Sequence, residues 1–345
     1  MIKVDGISKT FDSPGKAGRN GAGQKMAVDR VSFEVAEGET LILLGTSGCG
    51  KTTTLRMINR LLEPSGGNVY VNGKNVKEQS GETLRRSMGY VLQDSGLFPH
   101  YTVAENIGIV PGLLGWDKER VARRTIELLE KLHLEPGEFL HAYPGRLSGG
   151  QQQRVGLARA LAADQPVLLM DEPFGALDPV TRAHVRKDFR SLDEVRKKTV
   201  VMVTHDVQEA FELGDRICLM DQGRVAQWGT PAELLFHPAN AFVSSFFEGS
   251  RLQLEMGVVR LEDVWDWLPK AGGADSAATL PHGEEWAQDG AGSDLGGVTA
   301  GSSIWEVLQL TTGQPDATVQ VRFKEKSIVV NSSALMTAFT GFKNK

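Results

Sequence analysis

Cysteine is nearly absent from this sequence: Cys49 and Cys218 are the only two among 345 residues. They stand far apart, outside any CxxC or Cys/His spacing, so neither a disulfide framework nor a zinc site is expected. Both read as reduced thiols, Cys218 within an apolar strand. Long apolar runs are missing too. The longest, such as Leu41 to Leu44 and Val167 to Met170, fall far short of the roughly 18 residues that a membrane span needs, so a soluble chain is expected. The opening Met1-Ile2-Lys3-Val4-Asp5-Gly6 has no basic stretch followed by an apolar one, which predicts no export and a cytosolic location. Positive charge is not in excess: 38 Lys+Arg stand against 43 Asp+Glu, for a net charge of −5. No global positive field favours nucleic acid, and none is expected as a partner.

What is present is ordinary globular composition, 41% hydrophobic and 23% charged, with room for more than one domain. Short runs rich in Val, Ile and Leu alternate with longer helical patterns over residues 40–220. Fully apolar strands of that kind suit a sheet covered on both faces, so the expected fold class is α/β. The expected strands are Leu41 to Leu44, Val167 to Met170, Val200 to Val203 and Ile217 to Met220. Between Asp117 and His133, Val121, Leu128, Leu129 and Leu132 fall at mostly helical spacing opposite Arg120, Arg123, Arg124, Glu127 and Lys131, which predicts a surface helix. The stretch Ser13 to Gln24 is rich in Gly and polar residues and reads as a flexible loop. Ala271 to Ser303, rich in Gly, Ala and Asp, reads as a linker or poorly ordered insertion. After it, Ile304 to Phe342 recovers apolar content, and Thr318 to Phe323 alternates as a half-buried strand should, so a small second domain is expected.

Gly45-Thr46-Ser47-Gly48-Cys49-Gly50-Lys51-Thr52 follows an expected strand and precedes an apolar-periodic segment beginning at Thr53, the context a P-loop requires. Its glycines let successive N–H groups turn towards phosphate oxygens, and the helix that follows adds its positive end. Lys51 is expected to reach the β and γ phosphates and the Thr52 hydroxyl to bind Mg²⁺. A second constellation, Val167-Leu168-Leu169-Met170-Asp171-Glu172-Pro173, places two carboxylates at the end of an apolar strand, the ligand-binding edge of an open α/β sheet. There Asp171 is expected to hold Mg²⁺ through a water, and Glu172 to polarise the water that attacks the γ-phosphate. A third, Leu147-Ser148-Gly149-Gly150-Gln151-Gln152-Gln153-Arg154, opens a helix running to about Ala163, with Ser148 near its cap. This second anion-binding helix start is unnecessary in a P-loop enzyme that works as a monomer.

Leu147 to Arg154 resembles the signature motif of ABC ATPases, a segment that in that family caps the γ-phosphate bound to the opposite subunit. The resemblance implies an ABC-type P-loop ATPase core over residues 1–250 with a helical subdomain over about 95–165; beyond it, the change in composition leaves 251–303 as an expected linker or poorly ordered insertion and 304–345 as a small C-terminal α/β module. It also implies further roles. Gln93 is similar to the Q-loop glutamine, a Mg²⁺ ligand with Thr52 and Asp171; Leu177-Asp178 to the D-loop; His205 to the switch histidine; and Phe11 to the aromatic that stacks on adenine. Gly45 to Thr53 would then bind ATP, and Ser148, Gly149, Gly150 and Gln151 the ATP of a second copy.

Over residues 1–250 the similarity is to ATPase subunits of importers for glycine betaine, carnitine, choline and related osmoprotectants. It is carried by Thr52 to Pro64, Gly96 to Asn106 and Val110 to Asp117. A separate integral membrane permease, a substrate-binding protein and a peripheral place on the cytoplasmic face of the inner membrane are implied. Leu97, Phe98 and Trp116 are expected as an exposed groove for a permease helix. Ile304 to Phe342 resembles at most part of a cystathionine-β-synthase-type module. Three alternatives stay open on the sequence: an ABC ATPase acting on nucleic acid or ribosomes, a P-loop kinase or GTPase, and an importer for a polyamine, sugar or anion.

Overall fold

The computed structural model describes residues 1–12, 24–175, 177–268, 298–311, 318–323 and 326–343. The chain divides into two units, Met1–Phe246 and Phe247–Lys345. In the first unit the apolar runs become the middle of a six-stranded sheet. Its strands are β3 (Thr40–Gly45), β6 (Met88–Val91), β7 (Val167–Asp171), β8 (Thr199–Val203), β9 (Arg216–Asp221) and β10 (Arg224–Gly229), in the order β10-β9-β3-β8-β7-β6. All neighbours pair in parallel except β10, which runs antiparallel to β9. Both alternations of the central strands are buried, Leu41, Leu43, Val201 and Val203 on one face and Ile42, Leu44, Val200 and Met202 on the other. That is why these segments read as continuous rather than alternating apolar runs.

One face of this sheet shares a core with the helix Lys51–Ile58 and with an antiparallel sheet that the sequence reading did not anticipate. The second sheet comprises β1 (Ile2–Asp12), β2 (Gln24–Val35), β4 (Gly66–Val71) and β5 (Lys74–Asn75), in the order β2-β1-β4-β5. Its inward residues, including Ile2, Val4, Phe33, Val35 and Val69, are fully buried. Gln24, expected at the end of a loop, begins β2 opposite Asp12; the rest of that loop lies outside the described residues. The helices Val103–Leu113, Lys118–Lys131 and Gly149–Leu161 pack together as a helical group. The second of these is the expected surface helix, capped by Asp117, whose side chain accepts from Arg120 N.

The second unit contains the helices Arg251–Val258, Ile304–Thr311 and Ser332–Lys343 and an antiparallel hairpin of β11 (Thr318–Phe323) and β12 (Lys326–Asn331). The composition break placed residues 251–303 in a linker, and here the structure differs. Residues 251–268 bury Leu254, Val259, Leu261, Val264 and Leu268, and Arg260 bridges to Ser303. The remainder of the expected linker, through residue 297, lies outside the described residues. Glu255, only 1% exposed, accepts from Arg251 on its own helix and from Lys343 on the last helix. Removing a buried carboxylate that accepts from two partly exposed cations costs about 1–3 kcal/mol. Glu255→Ala is therefore expected to bring forward the second unit's transition in urea by that amount and to leave the first unit's unchanged, which limited proteolysis across a urea series would check.

Candidate active site

Because β3, β6, β7 and β8 run parallel, their carboxyl ends lie along one edge. Gly45 closes β3, Asp171 closes β7, His205 follows β8 and Gln93 follows β6. The loop Gly45 to Gly50 curls tightly against its surroundings. A Cβ on Gly45 would lie 2.2 Å from the Met220 carbonyl oxygen, and one on Gly50, where φ is +104°, 2.6 Å from that of Ala27. Lys51 is buried within this curl, its ammonium donating to the carbonyls of Gly45 at 2.7 Å and Thr46 at 2.9 Å. Thr46, Ser47 and Gly48 are exposed, whereas Cys49 points into the core and burial raises its thiol pKa. Cys218 is fully buried and pushed up to about 12, so neither thiol supplies a thiolate.

One residue past Lys51, the Thr52 hydroxyl donates to Asp171 Oδ1 at 2.8 Å. Asp171 is 1% exposed and desolvation raises its pKa, opposed by the Thr52 hydrogen bond and by Arg56, whose guanidinium lies 3.8 Å from Oδ2. Sequence reasoning missed Arg56, although it stands four residues after Thr52 and so on the same helix face. Glu172, next along, adopts φ +45°, a left-handed conformation that costs a non-glycine residue about 1–2 kcal/mol. Its N–H donates to Val203 O at 3.0 Å. Its carboxylate stands where Gln93 Nε2 approaches Oε2 at 3.4 Å and His205 Nδ1 at 3.2 Å. Three residues 79 and 33 positions from one another in the chain thus meet on one carboxylate oxygen. The cluster can hold a water against a general base, beside hydroxyl and carboxylate oxygens of the kind a hard divalent cation takes.

Ser148 caps the helix Gly149–Leu161, accepting from Gln151 N while the Gln151 side chain accepts from Ser148 N, and Gly149 stands open beside it. Gly150 faces Leu177 and Thr181. Among the described residues no hydrogen bond joins Ser148–Gln151 to the P-loop or to the Glu172 cluster. Asp178 caps the helix Pro179–Ser191, accepting from Val180 N and Thr181 N, and the Thr181 side chain together with these N–H groups holds its carboxyl below the usual range. Arg182, also missed from sequence, donates to Leu177 O at 3.0 Å and Asp206 Oδ2 at 3.3 Å, tying the Asp178 turn to the residue after His205. Phe11 is 41% exposed at the end of β1, so it is not a core phenylalanine. Phe98 is exposed, while Leu97 and Trp116 are half-buried and Arg120 stacks on the Trp116 ring at 3.5 Å.

Comparison with known proteins shows the family. Residues 28–175 match the ABC transporter family. The osmoprotectant import ATP-binding protein OsmV of Salmonella typhimurium is 51% identical over 270 residues, spanning 78% of this chain and 69% of that protein. The chain belongs to the ABC transporter ATPases. Other relatives of this cassette are the glycine betaine/carnitine/choline transport ATP-binding protein OpuCA of Bacillus subtilis, 46% identical over 80% of this chain and 70% of that protein, and the glycine betaine uptake system ATP-binding protein YehX of Escherichia coli, 44% identical over 81% and 86%. Among solved structures, a post-hydrolysis dimer of the ATP-binding cassette MJ0796 bound to ADP and Pi is 34% identical with a TM-score of 0.59, covering 67% of this chain and 98% of that one. No helix among the described residues is long and apolar enough to cross a membrane.

Two outcomes are expected of this ATPase site. If Glu172 is the general base that the sequence reading expects, Glu172→Gln lowers kcat for ATP by at least about 10²-fold with nucleotide binding kept; near-normal turnover would exclude that role. For Asp171, a folded pKa raised by burial means that its contribution to stability is full below the unfolded pKa and is lost as pH rises through the folded value. Asp171→Asn should therefore raise the melting temperature of nucleotide-free protein at neutral pH. The difference should close at acid pH and Mg-ATP binding should weaken, both measurable by thermal melts with and without nucleotide.

Proposed function

We propose that this ATPase powers the import of a quaternary-amine osmoprotectant, glycine betaine, carnitine or choline. In this reading two copies work together beneath a separate permease at the cytoplasmic face of the membrane, and a substrate-binding protein delivers the solute. The meeting of Gln93, Glu172 and His205 beside the Thr52–Asp171 pair supports the catalytic part. The names of relatives 44–51% identical support the solute, since the cassette site itself offers only phosphate-binding and hydrolytic chemistry.

Each copy binds ATP along Gly45 to Thr53, backbone N–H groups and Lys51 taking the phosphates and Phe11 taking the adenine face. The Thr52 hydroxyl and Asp171 carboxylate are hard oxygen donors already facing each other at 2.8 Å. That fits Mg²⁺, which takes one or two protein oxygens and keeps waters and phosphate oxygens for the rest. With Gln93 alongside, these residues would hold it, and it supplies neutralisation of the phosphate charge. Glu172 accepts the proton of the attacking water, while His205 and Gln93 fix the orientation of that carboxylate. Ser148, Gly149, Gly150 and Gln151 close on the γ-phosphate of the other copy, with Asp178 at the same interface. Closure is favoured because these contacts exist only in the closed pair, as a population shift requires. Gln93 would then link the γ-phosphate to the surface around the exposed Phe98, where a permease helix would dock.

The test is to purify the tagged protein from its native membrane and assay ATP hydrolysis with glycine betaine, carnitine or choline and the binding protein. Recovery of a permease and stimulation by one of these solutes is the expected result. Stimulation only by a polyamine, sugar or anion would replace the solute, and recovery of ribosomes or nucleic acid without a permease would overturn the transport reading.

A further inference from the structure

Arg159 lies on the helix that Ser148 caps, far along it from the nucleotide, and takes no part in the chemistry described above. Among the described residues no carboxylate pairs with it. Its guanidinium instead donates to two consecutive backbone carbonyls, Gly96 O at 2.8 Å through one terminal nitrogen and Ser95 O at 2.8 Å through the other. Burial draws its pKa below the ordinary guanidinium value. A cation withdrawn from water with only carbonyl partners is uncommon, because half-buried charges are normally matched by an opposite one. The carbonyls it takes are themselves held in an unusual turn: Ser95 has φ +43° and Gly96 +56°. For Ser95 that left-handed conformation costs about 1–2 kcal/mol. This turn begins two residues after Gln93.

Two more residues of the same helix face touch the same turn. Gln152, Gly156 and Arg159 follow one another at spacings of four and three, which places them in line along the helix. Gly156 brings the helix backbone so close that a Cβ there would lie 3.3 Å from Ser95 O. Gln152 Oε1 lies 3.4 Å from Ser95 Oγ, and its amide nitrogen donates in the other direction, to Pro144 O at 3.1 Å and Leu147 O at 3.2 Å. Those two carbonyls belong to the segment entering Ser148. One helix face therefore holds both the turn that carries Gln93 and the approach to the Ser148 cap.

We propose that the Gln152–Gly156–Arg159 face is a clamp that makes the Gln93 loop and the Ser148 helix start move as one body, with Arg159 as its positioning residue. The inference rests on the nucleotide roles given above to Gln93 and Ser148. A γ-phosphate that draws Gln93 inward then also carries the Ser148 cap towards the other copy. Hydrolysis and release at one position loosen both. Arg suits this task better than Lys because its planar fork reaches two adjacent carbonyls at once, whereas an ammonium is a single point donor.

The experiment compares hydrogen exchange in the wild-type full chain, Arg159→Gln and Arg159→Lys, each with and without a non-hydrolysable ATP analogue and Mg²⁺. In the wild type, nucleotide is expected to protect residues 93–98 and 144–152 together. In Arg159→Gln, protection of 93–98 should persist while that of 144–152 is lost. Its kcat should fall about 10- to 100-fold, the scale of a misplaced reacting group, with KM for ATP and melting temperature little changed, and Arg159→Lys should recover part of the loss. If Arg159→Gln protects both segments as the wild type does, the clamp is wrong and the site reading stands. If Arg159→Gln instead loses stability and nucleotide binding together, Arg159 is structural and the clamp is likewise refuted. No protection of either segment in the wild type would overturn the nucleotide roles themselves, and the clamp with them.

Discussion

The site depends on one constraint, the parallel run of β3, β6, β7 and β8 buried on both faces. Parallel strands need crossovers, and each crossover brings a loop to the same carboxyl edge. Strands with two apolar faces leave no surface for polar side chains along their length, so chemistry gathers where the strands stop. Gly45, Gln93, Asp171 and His205 come from four stretches of sequence yet stand at four adjacent strand ends. The register of β7 against β8, with Asp171 opposite Val203, sets the position from which Glu172 N reaches the Val203 carbonyl. A slip of one residue would turn Asp171 to the opposite face and separate it from Thr52.

That edge is also where the fold gives up stability. Asp171 is a carboxylate with 1% exposure, Glu172 carries a left-handed backbone, and Lys51 is a buried cation that donates to the Gly45 and Thr46 carbonyls and to Cys49 Sγ. Each would be improved, for stability alone, by a neutral or unstrained residue. Their concentration within one small region, against the apolar uniformity of the strands beneath, marks the region as selected for chemistry rather than for folding. The strands supply the rigidity that keeps such unfavourable groups in place.

Much of this was legible in the sequence because it rests on local patterns. The four central strands, the helix capped by Asp117, the P-loop and the Asp171–Glu172 pair follow from runs, spacing and capping chemistry. The sheet of β1, β2, β4 and β5 was not legible. Its strands are half-buried and antiparallel, β1 carries several register shifts against β2, and its apolar residues therefore keep no steady alternation. Residues 251–268 read as linker because their neighbours from 271 onwards are rich in Gly and Ala, although Leu254, Leu261 and Val264 are core residues. Arg56, Arg159 and Arg182 were missed for another reason. An arginine on a helix looks like a solvated cation unless the carbonyl or carboxylate it meets is known, and those partners come from distant parts of the chain.

The arginines also explain how a rigid sheet edge can serve a moving machine. The helix Lys51–Ile58 and the end of β7 fix Thr52, Asp171 and Glu172, but Gln93, Asp178 and His205 stand on loops, and a loop free to move alone would carry no signal. Each of these loops is bound to a helix by a guanidinium: the turn after Gln93 by Arg159, and the turns at Leu177 and Asp206 by Arg182. A guanidinium presents several donors in a fixed plane, so it can hold two backbone groups at a set separation where an aliphatic contact would let them slide. The loops thus inherit the stiffness of the helices to which they are bound. A small displacement at the phosphate can then become a displacement of whole helices instead of being absorbed locally, because packed helices shift as units.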